Sequence, residues 1–230
     1  MKYGAFTLSE TLVPIVIIGV IAAMTLASVI NNIQDKQFKT AFKKQFSIIS
    51  QAFLMVYQED GEEIKFGEWS DIVFYVCKVG EKLHYVGSGL KCDEILSMTK
   101  GDSFNNHKRT YVRWHASQKW YTKQNKPTLL NSGYDPMTFQ LTDGAMVNFN
   151  CQRQIFVDVN GLKKPNTIGR DIFYFTIPEK AVTPSFWKDG KQTNVNTCSG
   201  EEAALITKDN YEEDCKSGSG WGCSPLYILD

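Results

Sequence analysis

The sequence has no excess of either charge and lacks the residue patterns that mark most enzymes. Over 230 residues, Lys and Arg together number 25, and so do Asp and Glu. The chain therefore lacks the broad basic surface typical of nucleic-acid-binding proteins. It has no C-x-x-C pair, and its histidines, His84, His107 and His115, do not have zinc-ligand spacing. No G-x-S-x-G, P-loop or H-E-x-x-H pattern occurs. We therefore predict a non-enzymatic protein without a cofactor.

Charged residues are also absent from residues 12–30, which read LVPIVIIGVIAAMTLASVI. Spanning the hydrocarbon core takes about 20 apolar residues at a rise of about 1.5 Å each. The run is longer than the apolar core of a cleaved secretory signal, and no small-x-small cleavage site follows it. It therefore predicts one membrane-spanning helix. Glu10, just before the run, is either a functional acid with a partner or an interfacial residue favoured by the helix dipole.

A helical pattern continues beyond the apolar run. Apolar residues recur at every third or fourth position, and lysines and serines lie between them. No proline or glycine interrupts residues 25–60, and Gly61 then supplies a stop. We predict one helix over residues 6–58, whose second half packs on the domain that follows. Its apolar positions are Phe38, Phe42, Phe46, Ile49, Phe53 and Val56.

Residues 59–230 predict one β-rich domain. Short runs of β-branched and aromatic residues alternate with turns, and Asp143-Gly144 and Asn160-Gly161 are the strongest turn signals. Residues 184–223 read as a loop. The fold class predicted is α+β, with a long N-terminal helix packed on an antiparallel sheet. The candidate strands are residues 72–76, 111–114, 139–141, 146–149, 155–159, 172–177 and 226–229.

The cysteines all lie beyond the apolar run, which predicts disulfides formed in an oxidising compartment. Fifteen pairings of six cysteines are possible. Closeness in sequence favours Cys77–Cys92 and Cys215–Cys223, which leaves Cys151–Cys198. The disulfides place residues 59–230 outside the cytoplasm. The lysines at positions 36, 39, 43 and 44 would place them inside by the positive-inside rule, and we give the cysteines precedence.

The N-terminal residues carry a resemblance to a known family. Lys2 and a short leader precede Ala5-Phe6-Thr7-Leu8-Ser9-Glu10 and the apolar run. This resembles the signature of type IV prepilins and of the pilin-like proteins of type II secretion. In that family a prepilin peptidase cuts before a Phe, the new amine is methylated, and a Glu stands at the fifth mature position. The resemblance implies a leader over residues 1–5, cleavage between Ala5 and Phe6, and N-methylation of Phe6.

The resemblance also implies a role and partners. Glu10 would be the assembly residue and would pair with the Phe6 amine of a neighbouring subunit. The protein would sit in the bacterial inner membrane with its outer domain extracytoplasmic, and then enter a pilus or pseudopilus filament. Its partners would be other pilin subunits, the prepilin peptidase, the inner-membrane assembly platform and membrane lipid. Ala5 in place of the usual Gly, Ser9 before the acid and an early Pro14 indicate a divergent or minor subunit.

Two alternatives remain open from the sequence. The first is a single-span, membrane-anchored binding protein that does not assemble, with an adhesin-like or DNA-uptake role. A basic and aromatic cluster over residues 107–121 is the one feature that favours nucleic acid as a ligand. More often, such a cluster consists of exposed hairpin charges and packed rings.

The second alternative concerns residues 156–171, FVDVNGLKKPNTIGRD, which also resemble a segment of bacterial pilin-like proteins. They read as two turns between strands, with Asp158, Asn160 and Asn166 bonding the local backbone. A calcium loop with ligands Asp158, Asn160 and Asp171 is the alternative. An EF-hand loop has another oxygen ligand before its Gly, whereas Gly161 follows Asn160 directly. The sequence therefore favours the turns.

Overall fold

The computed structural model describes residues 8–61, 77–86, 120–127, 138–150, 154–161, 163–176, 187–188, 191–192, 195–196, 202–204, 206 and 209–229. The chain divides into two compact units, Met1–Gln37 and Phe38–Asp230. The long N-terminal helix and the small antiparallel sheet confirm the predicted α+β class.

Helix α1 (Leu8–Asp60) agrees with the predicted helix over residues 6–58, of which the first two lie outside the described residues. Pro14 lies within it. The predicted stop is confirmed. Gly61 has φ +65° and donates its N–H to the carbonyl of Tyr57 at 3.1 Å. A left-handed residue after the last turn is a common helix ending, and glycine takes that conformation without a Cβ clash.

The second unit contains a four-stranded antiparallel sheet of strands β1 (Thr138–Gln140), β2 (Met146–Asn150), β3 (Gln154–Asp158) and β4 (Ile172–Thr176). The strands pair in sequence order. The four predicted strands over these residues are confirmed, as are both turn signals. Gly144 turns between β1 and β2 with φ +89°, and Gly161 follows β3 with φ +70°. The candidate strands at 72–76 and 111–114 lie outside the described residues.

The C-terminal region differs from the prediction. Residues 226–229 belong to helix α3 (Cys223–Leu229) and not to a strand. Leu226, Tyr227 and Ile228 pack from this helix against the main core. An apolar run of four residues does not distinguish a strand from one turn of a buried helix.

The region predicted as a loop, residues 184–223, also contains regular structure. It includes helix α2 (Tyr211–Ser217) and two short antiparallel ribbons. The ribbon strands are β5 (Trp187–Lys188), β6 (Lys191–Gln192), β7 (Val195–Asn196) and β8 (Glu202–Ala204).

The main core lies between one face of the sheet and the second half of α1. Phe42, with no exposed surface, stacks on Phe173 with 4.1 Å between ring centroids and on Phe175 with 5.2 Å. Phe53 contacts Phe149 at 6.1 Å. These contacts confirm the predicted packing of the amphipathic half of α1. Buried apolar positions of α1 are Phe42, Ile49, Ala52, Phe53 and Val56.

A second core covers the opposite face of the sheet. Phe156 and Tyr174 point to this face and contact Trp221, each with 6.0 Å between ring centroids. Because both faces of the sheet are covered, every residue of β4 is buried. The buried members of the second core are Trp120, Met146, Phe156, Ile168, Ile172, Tyr174, Ile206 and Trp221.

The two outer strands of the sheet are bonded to neighbouring segments of the same chain. Beside β1, the N–H of Val86 donates to the carbonyl of Gln140 at 2.7 Å. Beside β4, the N–H of Ile172 donates to the carbonyl of Thr167 at 3.2 Å. The next outward N–H of β4, that of Tyr174, donates to the Ser224 hydroxyl at 3.0 Å. Helix α3 is thereby attached to the edge of the sheet.

Candidate functional sites

The first half of α1 presents an exposed apolar surface on all sides. Every side chain from residue 11 to residue 37 is exposed, including Ile15 at 67% and Met24 at 73%. The helix has the length and composition to cross a membrane. The hydroxyl of Thr25 donates to the carbonyl of Ile21 at 3.0 Å, so this polar group is satisfied within the helix. Such a surface is unfavourable in water and is stable in lipid or against other apolar helices.

The predicted processing and assembly residues lie at the start of this helix. Glu10 belongs to the first described turn of α1. Ala5 and Phe6, between which cleavage is predicted, lie outside the described residues. Cleavage, methylation and the pairing of Glu10 with a neighbouring amine therefore stay predictions.

A disulfide and a carboxylate together hold the corner between α2 and α3. Cys215 and Cys223 form the predicted disulfide, and both are buried. The Asp214 carboxylate accepts the N–H groups of Ser219 at 2.8 Å, Gly220 at 3.1 Å and Gly222 at 2.9 Å. It also accepts the Ser219 hydroxyl at 2.7 Å. The disulfide and these hydrogen bonds therefore hold residues 218–222, which connect the two helices, in one conformation.

The remaining cysteine pairings stay predictions. Cys77 is buried in the main core. Its predicted partner Cys92 lies outside the described residues, and so do Cys151 and Cys198.

A second polar site lies in the β3–β4 connection. The buried Asp171 carboxylate accepts the N–H of Asn166 at 2.8 Å and the N–H of Thr167 at 2.6 Å. Burial raises the pKa of Asp171, and these hydrogen bonds oppose the rise only in part. Asp158 accepts the N–H of Asn160 at 3.2 Å, as the turn interpretation predicted. The structure thus brings Asp158, Asn160 and Asp171 into one loop.

Sequence reasoning missed one feature of this loop. Asn166 is 6% exposed, and its side-chain oxygen Oδ1 is buried with no hydrogen-bond donor among the described residues. From the sequence, Asn166 was expected only to bond the local backbone. Its φ of +55°, which asparagine tolerates better than most residues, is the signal that a special turn is needed here.

The basic and aromatic cluster at residues 107–121 is described only at its end. Trp120 is 3% exposed and belongs to the second core, with its ring 6.0 Å from that of Phe156. The backbone of Tyr121 bonds to Asn166 at 3.0 Å and to Ile168 at 2.8 Å. Trp120 is therefore a packing residue and does not offer its ring to a nucleic-acid base. Residues 107–119 lie outside the described residues.

The turn between β1 and β2 is tied to α1. Asp143 accepts hydrogen bonds from Lys44 Nζ at 2.7 Å, from Gln45 Nε2 at 2.7 Å and from the Ala145 N–H at 3.2 Å. Burial alone would raise the pKa of Asp143. The bonds from Lys44, Ala145 and Gln45 outweigh that effect and hold the pKa below its ordinary value.

Three features therefore stand out in the described residues: the exposed apolar half of α1, the α2–α3 corner and the loop over residues 158–171. Comparison of the chain with protein-family models, with curated proteins and with solved structures gave no match.

Proposed function

We propose that the protein is a structural subunit of a type IV pilus or a related pseudopilus. It is anchored in the inner membrane by the first half of α1 and then packs with other subunits through the same helix. The observation that carries this proposal is the apolar surface exposed on all sides of residues 12–30. The second half of the same helix, by contrast, buries its apolar face in a folded domain.

Lipid and a bundle of similar helices are both suitable surroundings for this surface. An apolar helix is stable in the hydrocarbon core of a membrane, because its backbone hydrogen bonds are formed within the helix. In a filament, the same side chains are covered by those of neighbouring copies. The resemblance of residues 2–30 to prepilins favours the transfer from lipid to filament over permanent anchoring.

Glu10 fits this proposal better than it fits a simple anchor. A carboxylate at the edge of the hydrocarbon is unfavourable without a partner, and an anchor does not require one. Cleavage before Phe6 provides each subunit with a terminal amine. Pairing between Glu10 and the amine of a neighbouring copy sets the register of the helices, even where its net contribution to stability is small.

The Cys215–Cys223 disulfide supports an extracytoplasmic position for the domain that follows the span. A single-span anchored binding protein would share this feature and is the second candidate. Mass spectrometry of the protein purified from its native membrane separates the two. A chain that begins at methylated Phe6 supports the filament subunit, and a chain that begins at Met1 contradicts it.

Replacement of Glu10 by alanine tests the assembly role. We expect the variant to be processed and folded but to decrease about tenfold or more in the sheared filament fraction, because the neighbour's amine is left unpaired. Immunoblotting of filament and membrane fractions measures the distribution. Thr11→Ala is the matched control, since its hydroxyl donates only to the carbonyl of Leu8, at 2.9 Å. Glu10→Ala at the wild-type level in filaments would count against the proposal.

A further inference from the structure

The geometry of residues 158–171 points to a binding site for a hard divalent cation, Ca²⁺. The ligands are side-chain oxygens of Asp158, Asn160 and Asn166, beside the buried carboxylate of Asp171. The site does not depend on the filament proposal, because its residues lie at the end of β3 and in the β3–β4 connection.

The sheet brings the acidic residues of this site together. Asp158 ends β3 and is paired with Ile172, and the N–H of Val159 donates to the carbonyl of Asp171 at 2.9 Å. Both carboxylates have no exposed surface. Asn160 lies beside Asp158, since its backbone N–H donates to the Asp158 carboxylate at 3.2 Å and its side-chain amide donates to the carbonyl of Lys164 at 3.1 Å. The pairing of β3 with β4 therefore brings both buried carboxyl groups to the same loop.

The amide oxygens provide an independent observation. The Oδ1 atoms of Asn160 and Asn166 are buried, and neither accepts a hydrogen bond from any described residue. A buried acceptor without a donor is unfavourable, and such groups need an explanation. The N–H of Asn166 donates to Asp171 Oδ2 at 2.8 Å, which fixes Asn166 next to the carboxylate. A bound cation would satisfy both amide oxygens at once.

The ligand chemistry selects calcium. Carboxylate and amide oxygens are hard ligands, and Ca²⁺ accepts six to eight of them in flexible geometry, with water completing the shell. Mg²⁺ requires a near-ideal octahedron, and Zn²⁺ prefers nitrogen and sulfur. No group of three or more His, Cys, Asp or Glu side chains forms among the residues that the structure describes. With so little ligand charge, the dissociation constant should be about 0.1–1 mM, as in extracellular calcium modules.

Thermal unfolding of the full chain in detergent micelles tests the site, with tryptophan emission as the signal. At 10 mM CaCl₂ the unfolding equilibrium constant should fall about 10- to 100-fold relative to EDTA. The midpoint temperature should rise accordingly, and 10 mM MgCl₂ should have at most a tenth of this effect. Terbium luminescence that calcium displaces and magnesium does not would report binding directly. Equal effects of calcium and magnesium, or no effect of either, would overturn the proposal.

Asn166→Gly is the decisive variant, because glycine keeps the φ of +55° and removes only the amide. It should lose at least tenfold in calcium affinity. Asn125→Gly is the matched control, since Asn125 has φ +58° in the neighbouring turn and is not a ligand. Should Asn166→Gly fail to fold in EDTA, Asn160→Ala serves as the second variant and should show the same loss. If Asn166→Gly or Asn160→Ala folds and binds calcium with wild-type affinity, the proposed site is refuted.

Discussion

Replacement of Phe42 by alanine tests the packing that joins α1 to the sheet. The ring has no exposed surface and lies 4.1 Å from the ring of Phe173 and 5.2 Å from that of Phe175. Truncation of a buried Phe costs about 3–5 kcal/mol, because apolar surface is lost and a cavity remains. A domain of this kind has a total stability of about 5–15 kcal/mol. The variant should therefore lose a large part of its free energy of unfolding.

Urea unfolding in micelles, followed by tryptophan emission, measures this loss. With a slope of about 2 kcal/mol per molar urea, a loss of about 4 kcal/mol lowers the midpoint by about 2 M. Leu54→Ala is the matched control on the same helix, because Leu54 is 51% exposed and should change stability by less than about 1 kcal/mol. The reasoning is refuted if Phe42→Ala shifts the midpoint no more than Leu54→Ala does.

Two further predictions concern polar and covalent links. The native pKa of Asp143 is lowered, so its bonds stabilise the fold above the ordinary carboxyl pKa and lose effect as the pH falls through the native value. Asp143→Asn should lower the free energy of unfolding by about 1 kcal/mol or less at pH 7, since Lys44 is 58% exposed, and by less at pH 3. An equal loss at both pH values would contradict this. For the disulfide, the double change Cys215→Ser and Cys223→Ser should cost about 2.5 kcal/mol by the loop-entropy relation. Urea midpoints that are the same for this variant and the oxidised wild type would show that the disulfide does not stabilise the fold.

The helix and the sheet were predictable for definite reasons. From residue 25 onward, helix α1 repeats its apolar positions over many turns without a breaker before Gly61, so the periodic signal is strong. The strands of the sheet are separated by Asp143-Gly144 and Asn160-Gly161, whose turn chemistry is local. Helix α3 was missed because four consecutive apolar residues fit either a strand or a buried helical turn.

The polar sites were only partly predictable. The Cys215–Cys223 bond follows from short sequence separation. Asp158, Asn160 and Asp171 could be named from the sequence only as the calcium-loop alternative, and the sequence itself favoured two turns. Asp214 was not singled out from the sequence, which predicted a loop over residues 184–223, because its carboxylate bonds to loop amides that no pattern identifies. Asp143 was predicted only as a turn residue, since its contact with Lys44 joins residues that are distant in the chain.

The bonding along the two borders of the sheet limits how copies of this chain can associate. A fifth strand from another molecule would need a row of unused amide and carbonyl groups. At Gln140 on one border, and at Ile172 and Tyr174 on the other, those groups are already taken within the chain. β-Augmentation and amyloid-like growth are therefore disfavoured at these positions. Any association of copies at these positions would therefore have to use contacts between helices or side chains, which form and break without opening a sheet.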